Sequence, residues 1–189
     1  MSEQAWNELN DRCKACQNCP LGKTRTNLVF GVGNRQADLM FVGEAPGQAE
    51  DEQGIPFVGA AGKLLDRYLY AVDIPRESVY IANVLKCRPP HNREPLPEEE
   101  DACIGYLRQQ VSLIRPKIIV CLGRIAAKRI IDPEYRITRE HGQWVEKNGV
   151  WMTAIYHPSA LLRDLGKRPE TFRDLLSIRE KCRELGVKM

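Results

Sequence analysis

Short apolar runs alternate along the chain with longer segments in which apolar residues recur at helical spacing. Runs of strand length occupy positions 39–42, 78–85 and 117–123, and the last of them, KIIVCLG, is apolar almost throughout. A strand that is apolar on both faces is typical of the centre of a parallel sheet. The run at 117–123 therefore predicts the middle of such a sheet.

Amphipathic helices are predicted between these runs. The segment from Gly62 has apolar residues at positions 64, 65, 68, 69 and 72, which form one helical stripe. Another helix begins at Pro97, followed by three glutamates, and ends before Pro116. Further helices are expected over residues 3–16, after Gly123 and over residues 170–185.

The order of these elements predicts the fold class. Asn148-Gly149 separates QWVEK from VWMTAIYH and is a strong signal for a two-residue hairpin turn. Strands that alternate with helices indicate an α/β protein, here a three-layer α/β/α sandwich around a mostly parallel sheet of about four strands. We expect residues 1–189 to form a single domain.

Polar side chains follow three of the predicted strands. Val42 leads into Glu44, Ala82 into Asn83, and Tyr156 into His157. Each residue alone is typical of a turn or a cap. Because ligands of such sheets bind beyond the carboxyl ends of the strands, however, we expect one pocket to collect Glu44, Asn83 and His157.

The Gly- and Pro-rich segment that follows the first of these strands, GEAPGQAEDEQGIPFVGAAGKLLD, invites comparison with a phosphate-binding loop. The comparison fails, because Leu64 stands where Ser or Thr would bind magnesium and Phe57 stands where the first glycine is needed. What remains is an acidic run that carries Glu44 and Glu50, with Phe57 as an aromatic anchor. This pattern favours a solvated loop.

Composition adds few constraints. A hydrophobic content of 43% and a charged content of 28% are ordinary for a globular protein. The net charge of +3 neither demands nor excludes nucleic acid. The first residues lack the apolar core of a signal peptide, and no apolar run approaches the ~18 residues of a membrane helix. We expect a cytoplasmic protein without membrane association, and nothing in the sequence points to an oligomer rather than a monomer.

Seven cysteines are more than packing requires, and a reducing compartment favours metal ligation over disulfides. Cys13, Cys16 and Cys19 are evenly spaced, but Lys23 leaves the ferredoxin run C-x2-C-x2-C-x3-C-P incomplete. The three must therefore recruit ligands from elsewhere, and Cys87 and Cys103 are the candidates.

The spacing of the recruited pair favours an iron–sulfur site over zinc, since C-x15-C is not a zinc knuckle. Zinc and the absence of any metal stay open at this point. Cys121, inside an apolar run, and Cys182, in the last predicted helix, are expected to be core residues.

Four stretches, in this order, resemble the family 4 uracil-DNA glycosylases, the iron–sulfur branch of the uracil-DNA glycosylase superfamily. They are CQNCPLGKTRTNLVFGVG, VGEAPGQAEDEQGIPFVGAAGKLLD, YIANVLKCRPPHNREPLP with Cys103, and YHPSALLR. The resemblance implies a [4Fe–4S] cluster held by Cys16, Cys19, Cys87 and Cys103, which ties residues 1–24 to the domain. Cys13 has no role in that pattern, so Cys13→Ser is expected to leave folding nearly unchanged.

The resemblance also implies hydrolysis of the N-glycosidic bond of deoxyuridine in DNA, which releases uracil and leaves an abasic site. In that reading Phe57 stacks on uracil, Asn83 reads its O4 and N3–H edge, and His157 donates to O2. Ala45 lies in the uracil pocket, where better-known uracil glycosylases carry a water-activating Asp. Glu44 and Glu50 are therefore the candidates for placing the water.

Contacts with uracil-containing DNA are assigned by the same resemblance. Leu161 is expected to fill the gap left by the extruded base, with Ser159 and Arg163 at the backbone. Lys86 and Arg88 are expected to contact phosphates.

Three alternatives remain open. A covalent branch of the superfamily carries a basic loop after this asparagine that the present chain lacks, although His91 lies nearby. A non-enzymatic iron–sulfur protein that binds DNA or senses its damage would keep the cysteines and lose excision. A zinc-stabilised nucleotide-binding protein is the third.

Overall fold

Six strands form one sheet within residues 2–188, the part of the chain that the computed structural model describes. They are β1 (Val32–Gly33), β2 (Leu39–Gly43), β3 (Tyr80–Asn83), β4 (Ile118–Leu122), β5 (Val145–Lys147) and β6 (Val150–Ile155). The spatial order is β1-β3-β2-β4-β6-β5. The central four strands are parallel, and β1 and β5 pair antiparallel at the two edges.

The predicted sheet of about four strands is thus the parallel centre of a six-stranded sheet. β1 has only two residues, too few for a hydrophobic pattern to reveal. β5 is the first arm of the predicted hairpin, whose turn residues Asn148 and Gly149 both have positive φ, as this turn type requires. The α/β class itself is confirmed.

Nine α-helices lie among the described residues. They are α1 (Glu3–Lys14), α2 (Leu21–Thr24), α3 (Gln48–Gln53), α4 (Ala60–Ala71), α5 (Pro97–Ile114), α6 (Arg124–Ile130), α7 (Ile137–Glu140), α8 (Pro158–Arg163) and α9 (Arg168–Glu184). Short 3-10 turns cover Arg76–Ser78, Pro90–Asn92 and Leu165–Lys167. Within residues 2–188, no helix is both long and apolar enough to cross a membrane.

The acidic run after β2 contains a helix, whereas the sequence predicts a solvated loop. Residues 48–53 form α3, and Gly54 ends the helix in the left-handed conformation. Asp51 is buried because its carboxylate accepts the backbone N–H groups of Thr26 and Asn27. A long-range contact therefore decides the structure of this segment, and the local charge pattern does not.

Two hydrophobic cores cover the two faces of the sheet. On one face, side chains of β2, β3 and β4 pack against α1, α5 and α6. On the other, the alternate side chains of the same strands pack against α4 and α9. This is the three-layer arrangement that the sequence predicts. Cys121 and Cys182 are buried in these cores, as expected.

The start of α5 is fixed by Glu99, a buried residue in its first turn. Its carboxylate accepts the backbone N–H of Leu96 at 2.9 Å and two bonds from the Arg93 guanidinium at 2.6 and 2.9 Å. The ion pair with Arg93 lowers the pKa of Glu99 below its ordinary value of 4.5. This capping matters to the site, because α5 carries Cys103 and Gln110.

We expect Glu99→Gln to lower the free energy of unfolding at neutral pH by about 1 kcal/mol, the size of a lost helix cap. The pKa of Glu99 is lower in the folded than in the unfolded state. The ionised carboxylate therefore contributes to stability at a pH above the ordinary pKa of 4.5, and this contribution is lost as the pH falls through the pKa of the folded state. The variant should therefore lose less stability on acidification than the wild type. Denaturant unfolding between pH 7 and pH 3 measures this. Glu98→Gln, on the exposed side of the same turn, should behave like the wild type; an equal effect of both changes would contradict the assignment.

Candidate active site and cysteine cavity

A cleft of about 690 Å³ opens at the carboxyl ends of the parallel strands. Glu44 and His157, which follow β2 and β6, line it together with Asn83, the last residue of β3. Ala45, Glu50 and Phe57 line it as well. Four basic residues that also line the cleft are Arg93, Arg124, Arg163 and Lys167. The floor of the cleft thus carries an aromatic ring and an amide, and the four basic residues form what we call its cationic rim.

Asn83 lies at the base of the cleft and is only 2% exposed. Its side-chain oxygen Oδ1 is buried and has no hydrogen-bond partner among the described residues. Burying a hydrogen-bond acceptor without a partner is energetically unfavourable, so the free Oδ1 points to a ligand that donates a hydrogen bond to it. A Cβ on Gly43, which pairs with Asn83 across the sheet, would come within 2.6 Å of Phe57 Cζ and closer still to Oδ1. Gly43 is thus a site residue that the sequence analysis missed.

Phe57 is buried beside Asn83, and its backbone has a positive φ of 54°. Its ring centroid lies 5.7 Å from that of His157, with the planes tilted by 36°. The unusual backbone is held by Arg76, which donates to the Phe57 carbonyl at 3.2 Å. Gly62 is required next to it, since a Cβ there would overlap that carbonyl.

Glu50 anchors the same turn. Its Oε1 accepts the backbone N–H groups of Val58 at 3.0 Å and Gly59 at 2.8 Å. Its other oxygen, Oε2, lies over Gly47, where a Cβ would approach to 2.8 Å. One oxygen is thus committed to the backbone, and the carboxylate is fixed in orientation at the cleft wall.

Glu44 lines the cleft in a different electrical environment. The pKa of its carboxyl is raised to about 7, mainly by burial and also by the neighbouring Glu94, while Arg124 opposes the shift. A carboxyl group with that pKa is only partly ionised at neutral pH.

His157 is oriented by the first turn of α8. Its Nδ1 accepts the backbone N–H of Ser159 at 3.1 Å and lies 2.7 Å from the Ser159 hydroxyl. The pKa of His157 is lowered to about 4, mainly by burial and also by Arg163, while Glu50 opposes the shift. The ring is therefore neutral at pH 7, and because Nδ1 is an acceptor, the proton resides on Nε2.

The sequence predicts that Leu161 enters the DNA, but the structure does not expose this residue. Leu161 has an exposed fraction of 0% and belongs to the protein interior, whereas Leu162 is 43% exposed and lines the cleft. Successive residues of a helix differ by about 100° in direction, so only one of the two leucines can face the core. Arg163 is exposed at the cleft, and its contact with the DNA backbone stays a prediction.

The sequence also predicts that Lys86 contacts phosphates, but the structure buries this side chain. It is 1% exposed, and its ammonium group donates to the Asn83 carbonyl at 2.9 Å and to Gln110 Oε1 at 2.7 Å. A side chain so enclosed is not available to DNA. Arg88 is half-buried and donates to Asn92, so its contact with DNA stays a prediction. His91 is exposed and does not line the cleft, which disfavours the covalent alternative.

A second cavity lies behind the cleft and is lined by thiols. It is surrounded by Cys13, Cys16, Cys19, Cys87 and Cys103, with Arg25 and Lys86 in the same wall. Arg25 donates to Cys87 Sγ at 3.1 Å, and the Lys86 backbone N–H to Cys103 Sγ at 3.3 Å. The sequence analysis did not single out Arg25, although it lies in one of the four resembling stretches.

Burial raises the pKa of the Cys87 and Cys103 thiols above their ordinary value, to about 11 for Cys103. Within residues 2–188, no group of three or more His, Cys, Asp or Glu side chains is arranged to hold a single metal ion. The cysteines that the resemblance implies as ligands thus line one cavity, but their side chains are not arranged around a single ion in the part of the chain that the structure describes.

Cys13 differs from the other cavity cysteines. It is buried in the main core together with Trp6 and Leu9. Because Cys13→Ser would put a hydroxyl group among these apolar side chains, we now expect the change to lower stability.

Comparison with known proteins gives a consistent result. The sequence model of the uracil DNA glycosylase superfamily matches residues 30–178. A type-4 uracil-DNA glycosylase of Archaeoglobus fulgidus is 50% identical over 178 residues, which cover 89% of this chain and 88% of the relative. The corresponding enzymes of Thermotoga maritima and Pyrobaculum aerophilum are 44% and 43% identical, over 86% and 89% of this chain and 85% and 90% of each relative. The chain therefore belongs to the uracil DNA glycosylase superfamily.

Proposed function

We propose that this protein is a uracil-DNA glycosylase that hydrolyses the N-glycosidic bond of deoxyuridine in DNA, releasing uracil and leaving an abasic site. The observation that carries the proposal is the unpartnered, buried amide oxygen of Asn83 beside the Phe57 ring at the base of the cleft. The type-4 relatives, at 43–50% identity over most of this chain, support the same activity.

Base recognition follows from the two polar atoms of one amide. The free Oδ1 of Asn83 accepts N3–H of uracil, and its Nδ2 donates to O4, while the base lies against Phe57. Cytosine presents the opposite donor and acceptor at these positions. It would leave buried polar groups unpaired, which discriminates by up to about 10⁴-fold. An extruded nucleotide is required, because this edge is paired in a duplex.

Departure of the base is assisted by His157. As the glycosidic bond breaks, negative charge develops on the uracil ring and its O2. The neutral imidazole donates its Nε2–H to O2 and stabilises that charge, while Ser159 holds Nδ1. The low pKa of about 4 matters here, since it keeps the ring neutral at pH 7.

Glu50 is the better candidate for placing the water. Its Oε1 is fixed by two backbone N–H groups, which leaves Oε2 to accept a hydrogen bond from water and to offset positive charge on the sugar. Glu44, with a pKa of about 7, offers less negative charge at neutral pH. Of the two glutamates that the sequence suggests for placing the water, we therefore propose Glu50, and Glu44 lines the cleft.

DNA is held by the cationic rim, and Leu162 replaces the extruded base. Arg93, Arg124, Arg163 and Lys167 lie around the cleft where phosphates would approach. Leu162 is exposed at the same rim, next to Arg163, and can fill the gap in the stack.

We further propose that Cys16, Cys19, Cys87 and Cys103 hold a [4Fe–4S] cluster. Two features support the fit: the four cysteines, which come from three separate segments of the chain, line one cavity, and the cations Arg25 and Lys86 share its wall. Thiolates bound to iron carry the negative charge that those cations match, whereas neutral thiols would not. When bound, the group supplies a structural crosslink between the N-terminal segment and the loop before α5.

The activity is tested with a uracil-containing oligonucleotide, followed by alkali to cleave abasic sites. We expect Asn83→Ala to lower the excision rate by at least about 100-fold, because the buried edge of uracil loses its partners. Asn7→Ala, on the exposed face of α1, is the control and should be fully active. No strand cleavage with stoichiometric wild-type protein would rule out the proposed function and favour a binding protein without excision.

The role of Leu162 is tested by Leu162→Ala on duplex and single-stranded substrates. We expect a loss of about 10-fold on the duplex, where the wedge offsets the cost of unstacking, and little change on single strands. Leu176→Ala, which removes an equally exposed leucine on α9, should affect neither. Equal rates of wild type and Leu162→Ala on the duplex would contradict the assignment.

The ligand set is tested by iron content and visible absorbance. We expect Cys16→Ala to lose most of its iron and its absorbance near 400 nm, as a protein deprived of one of four ligands should. Cys13→Ala should keep both, with a modest loss of stability from the smaller core side chain. A similar drop in iron for both variants would mean that the ligand register is wrong.

A further inference from the structure

Lys86 occupies an unusual position between the two sites. It follows Asn83, which reads the base, by three residues, and it directly precedes Cys87. It is 1% exposed, and nothing in the excision reaction described above uses its ammonium group. A buried lysine without a role in binding or chemistry needs an explanation, because lysine is almost never fully buried unless it is paired.

The ammonium group is held by two oxygen atoms. It donates to the backbone carbonyl of Asn83 at 2.9 Å and to Oε1 of Gln110 at 2.7 Å. Gln110 is itself fixed, since its Nε2 donates to the Phe30 carbonyl at 2.9 Å and to the Tyr80 hydroxyl at 3.1 Å. The position of the ammonium is therefore determined by the core and not by solvent.

Neither oxygen carries a full negative charge, so these two bonds alone do not compensate a buried cation. The nearest candidates for negative charge are the cavity cysteines. Lys86 lines their cavity, and its own backbone N–H donates to Cys103 Sγ at 3.3 Å. Thiolates that hold an iron–sulfur cluster would supply the missing charge.

The Asn83 carbonyl is a sensitive place for such a bond. The same peptide group donates its Val84 N–H to the Gly43 carbonyl at 2.9 Å, and the next one donates its Leu85 N–H to the Glu44 carbonyl at 3.0 Å. The Asn83 side chain is packed so closely against Gly43 that no Cβ fits between them. A small rotation of the Asn83 peptide would therefore displace Oδ1 from the edge of the base.

We propose that Lys86 is a positioning residue that couples the cysteine site to uracil recognition: anionic charge at the cysteine site retains the ammonium, and the ammonium fixes the Asn83 peptide. The inference rests on the proposed function, since it takes Asn83 as the reader of uracil and the cysteines as cluster ligands. It assigns the cluster an effect on specificity without any electron transfer.

The test compares Lys86→Met, which has similar length and no charge, with Lys86→Arg and with Lys14→Met, the same change at an exposed lysine near the cavity. Single-turnover excision, inhibition by free uracil, affinity for an oligonucleotide with an abasic site, and iron per protein are measured. Rates are expressed per iron-loaded molecule.

We expect Lys86→Met to bind less iron than the wild type. Its iron-loaded fraction should excise uracil about 10- to 100-fold more slowly, as is typical when an outer-shell partner is lost. Free uracil should inhibit it more weakly by a similar factor, while the affinity for abasic DNA stays close to that of the wild type. Lys86→Arg should recover most of the rate, and Lys14→Met should match the wild type.

Wild-type rates and uracil inhibition in iron-loaded Lys86→Met would overturn the inference, as would an equal loss of uracil inhibition and abasic-DNA affinity. If Lys86→Met does not fold, Gln110→Met, which removes one acceptor of the ammonium, decides: we expect a smaller loss in the same direction, and an unchanged rate overturns the inference. A wild type that releases no uracil would instead overturn the proposed function. In that case, equal iron in Lys86→Met and Lys14→Met would overturn the link to the cysteine site as well.

Discussion

The parallel register between β2 and β3 places Gly43 directly opposite Asn83, and the base of the cleft depends on this pairing. Because residue 43 has no Cβ, the Asn83 amide and the Phe57 ring can occupy the space that a side chain would fill. The register aligns the ends of the two strands, so the residues that follow them meet at one edge of the sheet. The pairing of the two backbones thus creates the space of the pocket, and the side chains of Asn83 and Phe57 fill its walls.

Charge is distributed over the site in a way that suits excision. In the proposed function, the neutral imidazole of His157 donates where negative charge would develop, and the Glu50 carboxylate, fixed by two backbone N–H groups, offsets the positive charge that would develop on the sugar. Basic residues line the cleft where DNA would approach, whereas Arg25 and Lys86 line the cavity of the thiols. Two sets of positive charge are thus available for two different anions.

Much of this arrangement could be predicted from sequence, because it follows from strand order. Apolar runs ending in Glu44, Asn83 and His157 predict one edge of a parallel sheet, and the structure brings all three into one cleft. The errors have a common physical origin in tertiary contacts. HPSALL contains two adjacent leucines, and only the packing of a six-residue helix decides that Leu161 is buried. Lysine is normally exposed, and the acceptors that bury Lys86 include Gln110, which lies 24 residues away in the sequence.

The cysteine site braces the pocket from two sides. Lys86 connects it to Asn83, as described above. On the other side, Arg25 donates to Cys87, and the next two residues donate backbone N–H groups to Asp51, one residue from Glu50. Residues 13–27 thus contact both the thiols and the helix that carries Glu50. In the proposed function, a crosslink among these cysteines would hold Asn83 and Glu50 in register with one another, so that a group without a part in the chemistry would still affect it.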